Sequence, residues 1–523
     1  MRPEMSGNRP PSFRPARISP KNGMPPSDDP RRGGPSSAAF SCRYASGMTD
    51  SRGGTRRFVS GLGLLVTRTI GRWIPDPFVL AIGLTAVTAA LALVIPGTFA
   101  NRDPGEPSKA VLLLDAWWGD DGLWKLLKFG MQMILVLVTG YALAASPPIR
   151  RLINVIADLP RSTSVATAMV AFVAVLTGLV NWGLALVVGA LLARAVGRSL
   201  ERRGIPCHYP LLVAAGYLGM LVWHGGFSGS APLKMTTAKA ASEILPAEIV
   251  AEHASAGIPL TDTLLSPMNL FVSLGLLVIA PVICLLLAPV DAAEMKGPKT
   301  LGIDFSEEEP GQPATEKIGR GFETVLGFLL AIGLVGGFVL YLLGSETGLG
   351  NLGLNQINAV MFGLGLLLHG SPTRYLAAVE DAARGAAGII VQFPLYAGVM
   401  GMMAASGLLA MFADVASDWS NQTTLPLLTM TSAAVVNVFV PSGGGQWAVQ
   451  GPIAMMAGAN ADVPLGKMVM SVAYGDQLTN MLQPFWALPL LAITGVRARD
   501  IVGYTALVMI VAAVWMAIGL LIF

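Results

Sequence analysis

One acidic residue lies within a long apolar stretch: Asp476, in "AYGDQLTN" (473–480). An ionisable side chain in a hydrocarbon layer is costly, and it marks an ion, proton or substrate path unless a buried base or helix end pairs with it. Four polar interruptions share its surroundings: "VNWG" (180–183), "WHGGFSGSAP" (223–232), "PSGGGQ" (441–446) and "QLTNMLQP" (477–484). Non-helical backbone at membrane depth survives only where protein or a water-filled cavity satisfies its N–H and C=O groups. If the four breaks converge, they form a site lined by Asn181, Ser228, Ser230, Asn437, Ser442, Gln446, Thr479 and Asn480.

The residue types suit an anion moving with a coupling ion. Glycine N–H groups and helix N-termini attract a carboxylate. That chemistry assigns Asn181, Ser228, Gly229, Ser230, Ser442, Gly443, Gly444, Gly445 and Gln446 to substrate binding. Freed carbonyls with Asn and Thr oxygens suit a small hard cation such as Na⁺. Asn437, Asp476, Thr479 and Asn480 are therefore assigned to the coupling ion or proton. Small residues also permit close helix contacts, which is the competing use of each serine and glycine taken singly. His224 is expected as a packing histidine, and Lys234 as an interfacial residue extending its ammonium to water. Gln132 and Gln392 fit a cavity lining or an interhelical hydrogen bond equally well, and Trp447 and Trp486 are expected to pack.

Enzymatic chemistry finds no support. The four histidines and three cysteines are scattered, without zinc-ligand or CxxC spacing. No nucleophile–base pair stands out, so neither a cofactor nor a metal is expected. A net charge of +3 gives no reason to invoke nucleic acid.

The elements that must position these residues are membrane helices. The chain of 523 residues is 53% hydrophobic and 13% charged, with mean hydropathy +0.60. That is about half the charge of a soluble domain. Nine full spans are expected: 74–95, 124–145, 209–233, 265–289, 321–343, 355–369, 387–411, 467–491 and 501–523. Residues 164–197 and 425–459 read as two re-entrant hairpins, giving about 12–13 hydrophobic segments. For 164–197 the alternative is two short complete spans. Basic loops around Arg150, Arg151, Arg161, Arg202, Arg203, Arg497 and Arg499 fall on one side, which the positive-inside rule makes cytoplasmic.

The halves resemble each other. "QMILVLVTGYALAAS" (132–146) and "QFPLYAGVMGMMAAS" (392–406) begin 392 − 132 = 260 residues apart. Asn181 and Asn437 are separated by 437 − 181 = 256, and Tyr217 and Tyr474 by 474 − 217 = 257. With the sides assigned above, the two copies run in opposite directions, an inverted-topology repeat of the kind secondary transporters use. The expected division is a disordered Pro/Arg/Ser-rich tail (1–56), a first repeat (57–289), a cytoplasmic linker (290–320), a connecting span (321–354) and a second, inverted repeat (355–523). Met1 and Met48 both remain open as the translation start.

Seven stretches, "RWIPDP" (72–77), "FGMQM" (129–133), "NWGLALVVGA" (181–190), "GGFSGSAPL" (225–233), "VQFPLYAG" (391–398), "VPSGGGQWAVQGP" (440–452) and "AYGDQLTNMLQPFWALP" (473–489), resemble the short-chain fatty acid transporter family. The resemblance runs in order over about residues 55–523. Three features depart from it: the N-terminal tail, His224 where a glycine is expected, and Asp476 where Glu is usual. The resemblance implies uptake of short carboxylates such as acetoacetate or butyrate across a bacterial inner membrane. It also implies a similarity to ion transporter superfamily folds, with paired hairpins and an elevator-like motion.

The expected protein is an all-α polytopic membrane protein acting as a secondary transporter coupled to Na⁺ or H⁺. A passive anion channel or exporter is the alternative. Its expected partners are the carboxylate, the coupling ion and the lipid bilayer, with monomer and homodimer both left open.

Overall fold

The computed structural model describes residues 51–73, 76–100, 102–103, 105–236, 242, 250, 255, 257–305, 321–344, 354–414 and 421–523. Most of the expected tail (1–50), part of the expected linker (306–320) and the connector at 345–353 lie outside the described residues. The expected tail boundary at residue 56 moves, because α1 (Ser51–Trp73) is helical from Ser51 onward. The Arg56 guanidinium donates to Ser164 Oγ, which gives this helix a fixed contact. Contacts divide the chain into Met1–Gly54 and Thr55–Phe523, and the packing described below is within the second unit.

The first half continues with α2 (Pro77–Val94), α3 (Lys109–Trp118), α4 (Leu127–Ala145), α5 (Pro147–Ala157), α6 (Thr163–Val180), α7 (Trp182–Arg202), α8 (Tyr209–Tyr217), α9 (Ser230–Lys234) and α10 (Pro267–Leu287). The second half contains α11 (Gly321–Gly344), α12 (Leu354–His369), α13 (Pro372–Ala383), α14 (Ala387–Ala405), α15 (Leu408–Asp414), α16 (Leu425–Phe439), α17 (Gly443–Asn460), α18 (Leu465–Thr479), α19 (Pro484–Thr494) and α20 (Ala498–Ile522). Among the described residues, eight stretches are long and apolar enough to cross a membrane. Their burial separates centre from periphery. The stretch Tyr209–Lys234 is 94% buried, whereas Gly321–Gly344 is 11% buried and presents its flank to lipid.

Punctuation in the sequence decides where helices stop. Asp76, Ser108, Ser162, Asn181 and Ser266 each cap the following helix by accepting a backbone N–H, the expected use of short polar side chains at N-termini. Both arms of the first hairpin, α6 and α7, have spanning length on their own. In the second hairpin α16 has 15 residues and α17 has 18, with its first turn made by Gly443, Gly444 and Gly445. Three glycines are poor helix material in a helix interior. At the first turn the amides have no intrahelical partners in any case, so the penalty is smaller and close approach becomes possible.

Two expected spans are interrupted. The span expected at 209–233 unwinds after Tyr217 into 3₁₀ turns, Leu218–Leu221 and Trp223–Gly225, before α9. The span expected at 467–491 unwinds after Thr479 into Asn480–Leu482 before α19. Unwinding thus begins 480 − 218 = 262 residues apart. The capping residues of the two hairpin tips, Asn181 and Ser442, are 442 − 181 = 261 apart. Asn181 and Ser442 each cap a helix, while Asn437, set against Asn181 by sequence offset, lies inside α16.

Close packing holds the first half together. α6 packs on α7 and α10, and α7 on α8. At the α7–α8 crossing, a Cβ on Gly189 would strike the Gly216 carbonyl, and one on Gly216 would strike that of Gly189. The two backbones touch with no side chain between them, the small-residue contact used by membrane helices. In the second half α16 lies along α18, and α17 packs on α18.

Candidate functional site

The breaks meet in pairs. Asn181 ends α6 and caps α7, its Oδ1 accepting from the N–H groups of Gly183 (2.8 Å) and Leu184 (3.2 Å). Ser228 Oγ accepts from the Trp182 N–H at 3.1 Å, and the Phe227 N–H donates to Leu179 O at 2.8 Å. "VNWG" and "GGFSGSAP" therefore form one fastened unit. Ser228 and Ser230 are half-buried, and Gly229 is buried against the His224 carbonyl.

On the other side, the residues expected to serve a coupling ion form one network. The Asn437 Nδ2 group faces three oxygens: Asp476 O at 2.6 Å, Asn480 Oδ1 at 2.9 Å and Thr479 Oγ1 at 3.0 Å. Thr479 Oγ1 donates onward to Ala434 O at 2.9 Å, and the Gln483 amide donates to Asn437 O. An amide nitrogen thus occupies the point on which these oxygens converge. Tyr217 reaches in from the first half, donating to Asn480 O at 2.9 Å. Gln446 lies deeper than a substrate contact needs to. It is fully buried, and its amide donates to Ala433 O and Gln450 Oε1, both at 2.9 Å, bracing α16 against α17.

The two sides join at His224. Its Nδ1 lies 3.4 Å from Asp476 Oδ1, and the pair is 0% and 1% exposed. The tautomer follows from the neighbours. The Ala231 N–H donates to His224 Nε2 at 2.9 Å, so that nitrogen carries no proton, and the ring proton sits on Nδ1, facing the carboxylate. Gln477 Oε1 accepts from the N–H groups of His224 (3.0 Å) and Gly225 (3.1 Å), fixing the 3₁₀ turn against α18. Asp476 Oδ2 has no hydrogen-bond partner among the described residues.

The second hairpin tip closes over this pair. Ser442 Oγ accepts from the Gly445 N–H at 3.2 Å and caps α17. Gly443 lies so close to the Trp223 ring and His224 Cε1 that a Cβ would collide with both. Beside Gly444, a Cβ would lie 3.4 Å from Lys234 Nζ. The tip therefore combines open helix N-terminal amides with an ammonium group, both favourable to an anion. Aromatic rings border it: Trp223 stacks on His224 with centroids 4.4 Å apart, and Trp182 meets Trp486 at 5.0 Å. The indole N–H groups of Trp223 and Trp486 are buried without acceptors among the described residues.

His224 is a buried, stacked histidine and Lys234 is exposed, as their sequence reading has it. Each has a further neighbour: His224 faces the buried acid, and Lys234 reaches the glycine tip. Their signal was adjacency to a glycine-rich break, but their partners lie hundreds of residues away in the chain. Gln132 makes an interhelical bond to Asn355 Oδ1 at 2.7 Å. A cavity of about 670 Å³ lies away from this junction, at the N-terminal ends of α10 and α18.

Comparison with known proteins bears on this geometry. The sequence pattern described as "Short chain fatty acid transporter" matches residues 58–523. A protein of Escherichia coli (strain K12), provisionally named a short-chain fatty acid transporter, is 40% identical over 88% of this chain and 98% of its own length. One from Haemophilus influenzae with the same provisional name is 36% identical over 88% of this chain and 99% of its own. Among solved structures, the Alcanivorax borkumensis YdaH transporter, reported to have an unusual topology, aligns with a TM-score of 0.42 at 15% identity. That alignment covers 85% of this chain and 98% of the other.

Proposed function

The chain belongs to the short chain fatty acid transporter family, and on that premise we propose that it takes up short carboxylates, such as acetoacetate or butyrate, by secondary transport coupled to a proton. The observation that carries this reading is the junction where the two interrupted helices meet, His224 against Asp476, with the open first turn of α17 beside it.

The substrate carboxylate is held at the Gly443 and Gly444 amides, with the Lys234 ammonium as counter-ion. The short alkyl chain lies toward Trp182, Trp223 and Trp486, where apolar contact is available. Asn181 and Ser228 act by holding the neighbouring backbone rather than by touching substrate.

Asp476 exchanges the coupling proton. A carboxylate with an unpartnered oxygen in a low-dielectric interior is costly, and a proton is the smallest partner that removes its charge. His224 Nδ1 lies 3.4 Å from one Asp476 oxygen, and this contact links proton exchange on α18 to the 3₁₀ turn of the first half. The Asn437 amide, placed among the oxygens that a cation would need, favours a proton over Na⁺ at this point. An inverted repeat with two re-entrant hairpins is part of the same proposal, since it would carry the junction between the two faces.

The test is uptake of labelled butyrate or acetoacetate into proteoliposomes with imposed gradients. Saturable uptake driven by an inward proton gradient is expected. Uptake driven only by Na⁺ would reassign the ion. Non-saturable flux indifferent to either gradient would identify a channel.

A further inference from the structure

A second cationic region lies at the opposite end of the molecule's chemistry, on the basic face. A cavity of about 500 Å³ is lined by Arg68 and Arg72 of α1, Lys296 of the loop after α10, Arg499 at the start of α20, and His208 with Tyr504. The four cations are exposed, and none has a carboxylate within ion-pair distance among the described residues. Asp500 shares the cavity without pairing with them. Four like charges around one hollow repel each other, and an anion would relieve that repulsion.

His208 does not add to this charge. The Lys296 N–H donates to its Nδ1 at 3.1 Å, so the ring proton is on Nε2, which donates to Tyr504 Oη at 2.7 Å. Burial, with Lys296 and Arg68 nearby, pushes it down to about 3 from 6.5. It is a neutral strut that holds the cavity wall.

The course of α1 indicates which anion would fit. Arg56 meets Ser164 at the start of α6, Gly63 lies against Leu287 at the end of α10, and Thr67 lies against Gly503 near the start of α20. Touching the ends of three helices in succession, α1 runs across the end of the bundle. Its apolar stretch between Arg57 and Arg68 is too short to cross a bilayer. Phe58, Leu62 and Leu65, one helical stripe, are 72%, 39% and 62% exposed. A helix with cations at its ends and an uncovered apolar stripe suits the plane of the membrane interface. A soluble phosphate would use the cations and leave the stripe idle, whereas a phospholipid uses both.

We propose that this cavity binds the headgroup phosphate of an anionic phospholipid, with the acyl chains lying over Phe58, Leu62 and Leu65. The site is separate from the His224–Asp476 junction, and its test does not depend on transport.

The purified full-length protein is titrated with fluorescently labelled phosphatidylglycerol in mild detergent, with phosphatidylcholine as the control lipid. Arg68→Gln with Arg72→Gln should weaken phosphatidylglycerol binding more than tenfold, since each interfacial cation contributes about fivefold. Arg68→Lys with Arg72→Lys should retain most of it, separating charge from misfolding. Leu62→Ser with Leu65→Ser should weaken lipid binding with the cations intact. Equal binding of phosphatidylcholine, or unchanged binding by the Gln pair, would overturn the proposal. Complete displacement of the lipid by millimolar inorganic phosphate would also overturn it, and would assign the cavity to a soluble anion.

Discussion

The two hairpin tips face the same backbone problem and leave it in different states. At the first, Asn181 accepts two amide protons, Ser228 a third, and Leu179 O takes the N–H of Phe227. The freed backbone groups there are satisfied within the protein. At the second, Ser442 Oγ takes the Gly445 N–H, while the Gly443 and Gly444 N–H groups find no acceptor among the described residues. These open amides stand next to Trp223, His224 and the Lys234 ammonium. The same architectural device thus serves once as a fastening and once as a surface with unused hydrogen-bonding capacity. Unused capacity at a buried position is where ligand chemistry has room to act.

The comparison breaks most sharply at the acid beneath the second tip. Asp476→Asn is expected to reduce proton-driven uptake to background while the protein still inserts and elutes as a single species. Normal uptake by that variant would remove Asp476 from the mechanism. Gly443→Ala places a methyl group against Trp223 and His224; it should cost about 1–3 kcal/mol of stability by overpacking and reduce uptake per folded molecule about tenfold or more, read as a rise in KM. Asn181→Ala should cost about 1–2 kcal/mol of stability in thermal denaturation while turnover per folded molecule is kept. If Asn181→Ala instead changes KM at unchanged Tm, the first tip is a binding element and the contrast fails. Ser442→Ala, losing one cap bond, should cost about 1 kcal/mol or less.

A smaller effect is expected from pH, away from both tips. His208 binds its proton less readily folded than unfolded, because burial and then Lys296 and Arg68 push it down to about 3 from 6.5. Between those values the unfolded chain binds more protons, so stability falls as pH is lowered below about 6.5. Tm measured across that range should show the decline, and His208→Gln should flatten it. A decline of equal slope in the variant would place its origin elsewhere.

Much of the architecture was legible because bilayer constraints are written in composition. Long apolar runs, polar breaks and a solitary acid need no tertiary information to be noticed. Asn437, Thr479 and Asn480 share a network with the Asp476 backbone, and their Asn and Thr side chains were visible beforehand as polar atoms in apolar surroundings. The partner of Asp476 was not. His224 precedes it by 476 − 224 = 252 residues, and only the packing of the Trp223–Gly225 turn on α18 brings them together. The start of unwinding at Leu218 was equally hidden, since "LGML" contains no proline or polar punctuation. The glycine triplet read as loop because propensity describes helix interiors, whereas these residues occupy a first turn. Gln446 looked like a site residue by neighbourhood; its amide nitrogen bonds within its own hairpin, while its Oε1 is buried with no partner among the described residues.

The Gly189–Gly216 crossing has a mechanical consequence. Two backbones in direct contact, with no side chain to change rotamer between them, cannot slide or tilt by small increments. α7 and α8 must therefore travel as one body, and with them the Asn181 tip that α7 carries. Any displacement of these helices must be taken up at seams cushioned by side chains. Amide exchange along α7 and α8 should accordingly stay slow and uniform through the transport cycle, a stiff reference against which the motion of the rest can be measured.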